Sequence, residues 1–161
     1  MRMVDVGMKD KTERVAVATG SIKMSKQAIS LIRSNEVPKG DVLAAARLAA
    51  IMAAKKTPDL IPLCHPISLS GVDAEISLTT RGAQIRVTVK TVDRTGVEME
   101  ALAGVAAAAL TIYDMLKSTD RSMEIQAIAL DHKSGGRSGT FDRRAAKPRD
   151  ATLAKDARRR V

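Results

Sequence analysis

The chain switches between two hydrophobic periods. Arg14–Lys23 (RVAVATGSIK) starts by alternating, with Val15 and Val17 on one side, and predicts a strand with a bulge at Gly20. Ile29, Leu31 and Ile32 then fall at helical spacing within Ser25–Ser34, with Ser25 placed as N-cap. Pro38–Gly40 interrupts, and Asp41 caps an Ala-rich helix running to about Lys56, acidic at its start and basic at its end as the macrodipole favours. TPDLIPLCHPISLS holds three prolines and reads as an ordered loop rather than a regular element. Gly71–Thr80 and Gln84–Val92 alternate as strands, and Arg81-Gly82 between them predicts a hairpin turn. The most helical stretch opens at Thr95-Gly96-Val97-Glu98 and ends near Thr119, and Met123–Leu130 is the last predicted strand. Ser134–Gly139 is glycine-rich.

The predicted order is β-α-α-β-β-α-β. Two strand–helix crossovers flank a hairpin, which is the split-βαβ, ferredoxin-like layout of an α+β domain: an antiparallel sheet with helices packed on one face. One domain is expected over residues 1–140, followed by a basic, flexible tail at 141–161 with no catalytic role.

ALAGVAAAALTIY is apolar almost all round, so its helix should be buried on more than one side. A sheet covers one side; the other is expected to meet a second subunit. Ionisable residues stand only at the ends, Glu98 and Glu100 at the start, Asp114 and Lys117 at the finish. Thr95-x-x-Glu98 fits a capping box, and Asp114 and Lys117 are spaced as a helix ion pair. Glu100 and Asp114 are 14 residues apart, roughly 21 Å at a rise of about 1.5 Å per residue. One small substrate cannot touch both from one copy of the chain.

Composition narrows the function. Of the 161 residues, 45% are hydrophobic and only 1% aromatic, which argues against modules that stack bases on aromatic rings. A single cysteine excludes an intrachain disulfide framework and suits a reducing compartment. Cys64, His65 and His132 are too few for a thiolate-rich zinc site. No apolar run is read as a membrane span and no leader is read at the start, so a cytoplasmic location is expected. Eight basic and three acidic side chains fall in residues 141–161, more than half of the net charge of +9. The remaining mild excess suits an anionic small substrate, and no nucleic-acid or membrane partner is expected.

His65 lies between Pro62 and Pro66, which restrict the backbone and would hold an imidazole in place for acid–base work. Cys64, its neighbour, reads as packing, since adjacent extended residues point to opposite sides. Lys55 and Lys56 complement a helix C-terminus. Lys133-Ser134-Gly135-Gly136-Arg137-Ser138-Gly139 could wrap backbone N–H groups and two cations around a phosphate, though its spacing is not that of a P-loop.

Taken together, MVDVG at 3–7, KGDVLAAARLAAIMAAKKTPDLIPLCHPI at 39–67, DRTGVEMEALAGVAAAALTIYDMLK at 93–117 and KSGGRSG at 133–139 resemble the cyclic pyranopterin monophosphate synthase (MoaC) family of molybdenum cofactor biosynthesis. The resemblance implies a ferredoxin-like subunit in a homohexamer, a trimer of dimers, with active sites at subunit interfaces. It implies a lyase that converts 3′,8-cyclo-7,8-dihydro-GTP into cyclic pyranopterin monophosphate with release of diphosphate, without metal or organic cofactor. It places Asp114, Lys117 and His65 as catalytic residues, and Arg14, Lys39, Lys55, Cys64, His65, Glu98, Met99, Glu100 and Lys133 as substrate contacts. Arg137 stands where a lysine is common in the family, and a planar fork holds phosphate differently from an ammonium.

Overall fold

The computed structural model describes residues 1–143. β1 (Thr12–Lys23) runs through the middle of the sheet, antiparallel to β3 (Gly82–Asp93) from Thr12↔Asp93 to Lys23↔Gly82. On its other side lies β4 (Glu124–Ser134). β2 (Leu69–Leu78) borders β3, and β5 (Phe141–Asp142) borders β4. The order β2-β3-β1-β4-β5, with every pairing antiparallel, contains the strand arrangement of the expected ferredoxin-like α+β fold.

The helices are α1 (Lys26–Ser34), α2 (Val42–Lys55), α3 (Thr57–Leu60) and α4 (Glu98–Leu116). Ser25 and Asp41 cap as predicted, accepting from the backbone N–H of Ala28 and Ala44. α3 departs from the sequence reading, which placed only loop at 57–70. Buried Thr57 donates its hydroxyl to the carbonyls of Ala53 and Ala54, and Pro58 suits a first helical turn, so one further turn forms.

The core lies between the sheet and α4. Ala101, Gly104, Val105, Ala108, Ala109, Ile112, Met115 and Leu116 form its buried stripe. Ile22, Ile85, Ile112 and Leu116 are no more than 1% exposed, worth about 1.5–3 kcal/mol apiece. β1 meets α4 with small residues, Ala16, Ala18 and Gly20, while Val15 and Val17 take the other side of the strand. A Cβ at Gly20 would lie 2.6 Å from Val105 Cγ1, so glycine sets how closely α4 approaches. The predicted bulge is here: β4 places Ala127 and Ile128 against Gly20, with Ala127 at φ 51°.

Three expectations are corrected. The second side of α4 is covered largely by α2 of the same chain, where Ala46, Ala50 and Ala54 are buried; a Cβ at Gly104 would stand 3.2 Å from the Ala50 carbonyl. Second, α4 is by length and composition apolar enough to cross a membrane, but half of it is buried in the core. Third, the expected tail overlaps the sheet: β5 lies beyond residue 140, and its strand pairs with β4. Residues 144–161, the rest of that tail, lie outside the described residues.

Candidate active site

Two turns deliver the first group of side chains. α2 ends at Lys55, the chain turns through α3, and the Cys64 N–H donates to the Ile61 carbonyl at 3.0 Å. Thr91, fully buried in β3, donates to the Ser68 carbonyl at 2.6 Å and fastens the far end of the same segment. Cys64 and His65 are thereby set against the start of α4. They line a cleft of ≈ 260 Å³ together with Leu63, Ile67, Thr95, Gly96, Glu98, Met99 and Glu100.

Glu100 is 3% exposed, and this burial pushes its carboxyl up to about 7 despite its own backbone N–H, with the charge of Glu98 adding to the rise. A carboxyl poised there can give or take a proton at neutral pH. Burial and the nearby Glu100 raise the Cys64 thiol as well, which keeps it protonated. The capping box does not form. Val97 occupies the N-cap position without a side-chain bond, and Glu98 folds back over Gly96, where a Cβ would collide with its carboxylate. Glu98 instead stands 3.8 Å from Lys133.

At the far end of α4, Asp114 lies between two ammonium groups, Lys39 Nζ and Lys117 Nζ, each at 2.7 Å. Lys39 also donates to the Asp114 carbonyl at 3.0 Å. Hydrogen bonds from Lys117 first and Lys39 second hold the Asp114 carboxyl at about 2. The Asp114–Lys117 pair is the predicted one. Lys39 joins it because Gly40, at φ 97°, turns the chain into α2 and leaves Lys39 beside the end of α4. All three side chains are about half exposed.

The third group surrounds the glycine-rich loop. Arg14 donates to the carbonyls of Asp93 (3.0 Å) and Arg94 (3.1 Å). Gly136, at φ 73°, lies against the Arg14 guanidinium, which would have to shift to admit a Cβ. Lys133 donates across the loop to Ser138. Arg14, Gly136, Arg137 and Ser138 line a cleft of ≈ 430 Å³ with Met8, Lys9, Asp10 and Thr12. Lys133 thus stands between this cationic recess and the Glu100 cleft. Lys55, at the end of α2, is exposed and lines neither cleft.

Sequence reasoning missed Lys9 and Met8, because the opening twelve residues carry no periodicity. It also missed Arg94, whose Nε is buried without a hydrogen-bond partner. A further cleft of ≈ 450 Å³ around Lys23, Arg81 and Gln84 holds none of the predicted residues. Among the described residues, no three or more His, Cys, Asp or Glu side chains stand where they could hold a metal ion.

A poised carboxyl at the start of α4 and a Lys–Asp–Lys cluster at its far end are groups able to exchange protons, and the cationic recess near the first of them suits phosphate. Groups of this kind on this sheet suit an enzyme acting on an anionic small molecule. The chain belongs to the MoaC family, whose model matches residues 3–136. It is 58% identical over 142 residues to the cyclic pyranopterin monophosphate synthase of a Roseiflexus species, covering 87% of this chain and 90% of that one. It is 53% identical over 150 residues to the protein of that name from Streptomyces griseus, covering 93% and 85%. Its identity to that of Novosphingobium aromaticivorans is 55% over 140 residues, covering 87% and 89%.

Proposed function

We propose that this chain is a cyclic pyranopterin monophosphate synthase, a lyase of molybdenum cofactor biosynthesis. It converts 3′,8-cyclo-7,8-dihydro-GTP into cyclic pyranopterin monophosphate and diphosphate. The observation that carries the reading is Asp114 held at 2.7 Å by both Lys39 and Lys117. The carboxylate stays ionised and fixes two ammonium groups side by side, one to bind a phosphate, the other to move protons.

The remaining roles follow from chemistry. Glu98 and Glu100 accept from the N–H groups of the guanine-derived ring, and His65 with Met99 and Cys64 completes that pocket. Arg14, Lys133 and Lys39 bind the triphosphate, and Lys55, exposed at the end of α2, is a further cation for it. Cyclisation is an attack by a substrate hydroxyl on the α-phosphorus. The bond between the α-phosphorus and the oxygen bridging to the β-phosphate breaks, diphosphate leaves intact, and the hydroxyl proton passes to a base. Positioning and cations contribute most to such a step.

The active site is shared between protomers of a homohexamer. Glu100 and Asp114 stand roughly 21 Å apart along α4 by its rise per residue. Exposed Leu48, Met52 and Leu110 on α2 and α4 offer apolar surface for a neighbour, which would also bury the half-exposed Asp114 cluster. The single Cys64 suits a cytoplasmic, reducing location.

The direct test incubates the purified protein with the cyclised GTP and follows pterin product and diphosphate by mass spectrometry. Absence of both products would remove the assignment. A second experiment tests sharing: inactive Glu100→Ala and Asp114→Asn proteins are dissociated and reassembled together. Sharing predicts partial recovery, because some interfaces collect both lesions and others neither. A mixture that exchanges subunits by mass yet stays inactive contradicts it.

A further inference from the structure

The glycine-rich loop is the tip of a hairpin whose second arm, among the described residues, is the two-residue β5. Among the described residues, β4 and β5 pair at His132↔Asp142 and Lys133↔Phe141. Between them Gly135, Gly136 and Gly139 all adopt positive φ, at 91°, 73° and 62°. A loop with three such residues has many conformations to choose from, and two paired residues select weakly among them.

Arg143 supplies the missing hold. Its backbone N–H donates to the Asp131 carbonyl at 2.8 Å, and its Nε donates to the Leu130 carbonyl at 2.9 Å. The same Nε lies 3.7 Å from Asp131 Oδ1. Asp131 in turn accepts from Thr19 Oγ1 at 2.9 Å, so the link reaches the central strand β1. His132 Nδ1 stands 3.8 Å from Asp142 Oδ2 on the adjacent pair. The outgoing end of the loop is thereby tied to β1, while the incoming end rests on it through Gly135 against the Glu13 carbonyl and Gly136 against Arg14.

We propose that Phe141–Arg143 is a clasp, with Arg143 as a positioning residue that fixes the glycine-rich loop for the substrate's phosphates. This rests on the loop being the phosphate site proposed above. Arg143 does not touch substrate; it acts through the placement of Lys133, Arg137 and the loop N–H groups. The clasp also moves the end of the working chain. A deletion beginning at residue 142 cuts through it, whereas one beginning at residue 144 spares it.

The experiment compares the full chain with proteins lacking 144–161 or 141–161, and with Arg143→Ala and Arg143→Lys in the full chain. KM and kcat are measured with the cyclised GTP, and inorganic tripolyphosphate binding is measured by calorimetry without turnover. Removal of 144–161 is expected to leave both unchanged. Removal of 141–161 and Arg143→Ala are expected to raise KM and weaken tripolyphosphate roughly five-fold or more, with a smaller change in kcat. Arg143→Lys, which keeps the charge beside Asp131, should recover part of the loss. Wild-type KM and tripolyphosphate affinity in a folded Arg143→Ala protein would overturn the clasp, whatever the truncation does. If the full chain binds tripolyphosphate but makes no pterin, the assigned reaction fails while the calorimetry still decides the clasp.

Discussion

Lys133 Nζ lies 3.8 Å from a carboxylate oxygen of Glu98, across the boundary between the cationic recess and the Glu100 cleft. The lysine side chain is only 17% exposed, so its charge is shielded poorly by water and is felt on both sides. In the proposed function, this cation stands where the ring system and the phosphates of one substrate meet. Lys133→Met is expected to raise KM by roughly ten-fold or more, the scale of one charge-assisted hydrogen bond. Steady-state kinetics check this, and a KM within two-fold of wild type, roughly the noise of one lost surface contact, would exclude the contact.

Glu100 predicts opposite effects on activity and stability. Its carboxyl is raised from an ordinary 4.5 to about 7 in the fold, so the folded state holds more protons than the unfolded state between those values. Stability therefore declines as pH rises through this window, and the cost is fully present above about 7. Glu100→Gln should raise the melting temperature at pH 8 and leave it nearly unchanged at pH 4, on the order of 3 kcal/mol between the two limits. The same variant should lose the neutral ionisation from the pH profile of kcat/KM.

Asp114 lies outside this behaviour, since its side chain is 55% exposed in a single protomer and surface ion pairs contribute little. Asp114→Asn and Lys117→Ala should each lower turnover by roughly a hundred-fold or more, the range for a general acid–base group. Circular dichroism should be unchanged. Near-normal product formation by either variant would take the pair out of the mechanism.

Asp120 is a structural carboxylate, and it should separate from the others in the assay. It accepts from the Ser25 N–H at 2.7 Å, from the Ser122 hydroxyl at 2.6 Å and from the Ser122 N–H at 2.9 Å, tying the start of α1 to the turn after α4. These bonds, the Ser122 hydroxyl foremost, hold its carboxyl below the usual range. Its stabilisation is present above the ordinary carboxylate pKa and is lost as pH falls through the lowered one. Asp120→Ala should cost about 1–3 kcal/mol in denaturant unfolding at pH 7 and less in acid, with kcat of the folded fraction unaltered.

Local rules made part of this legible. Ser25 and Asp41 cap as their side chains dictate, and the Asp114–Lys117 pair follows from spacing on one helix face. The sheet order followed from alternating segments and two crossovers. What escaped depends on distance along the chain. Lys39 meets Asp114 across 75 positions, and nothing local marks that meeting. The Thr95–Glu98 box fit a sequence rule, but Glu98 turned toward Lys133. The apolar girth of α4 suggested a foreign partner because the pattern does not say that α2 of the same chain comes so close. β5 was hidden by its length, since two residues have no period.

α4 acts as a ruler. It runs unbroken from Glu98 to Leu116, with no proline to kink it, and glycines let it pack closely onto β1 and α2. In the proposed shared site, its length fixes the offset between the two halves that neighbouring copies bring into register. One residue inserted or deleted mid-helix would turn Asp114 by about 100° and shift it about 1.5 Å, away from Lys39. Under the proposed sharing, loops at either end can vary in length, but the span between Glu100 and Asp114 can change only if a neighbouring copy changes its placement in step.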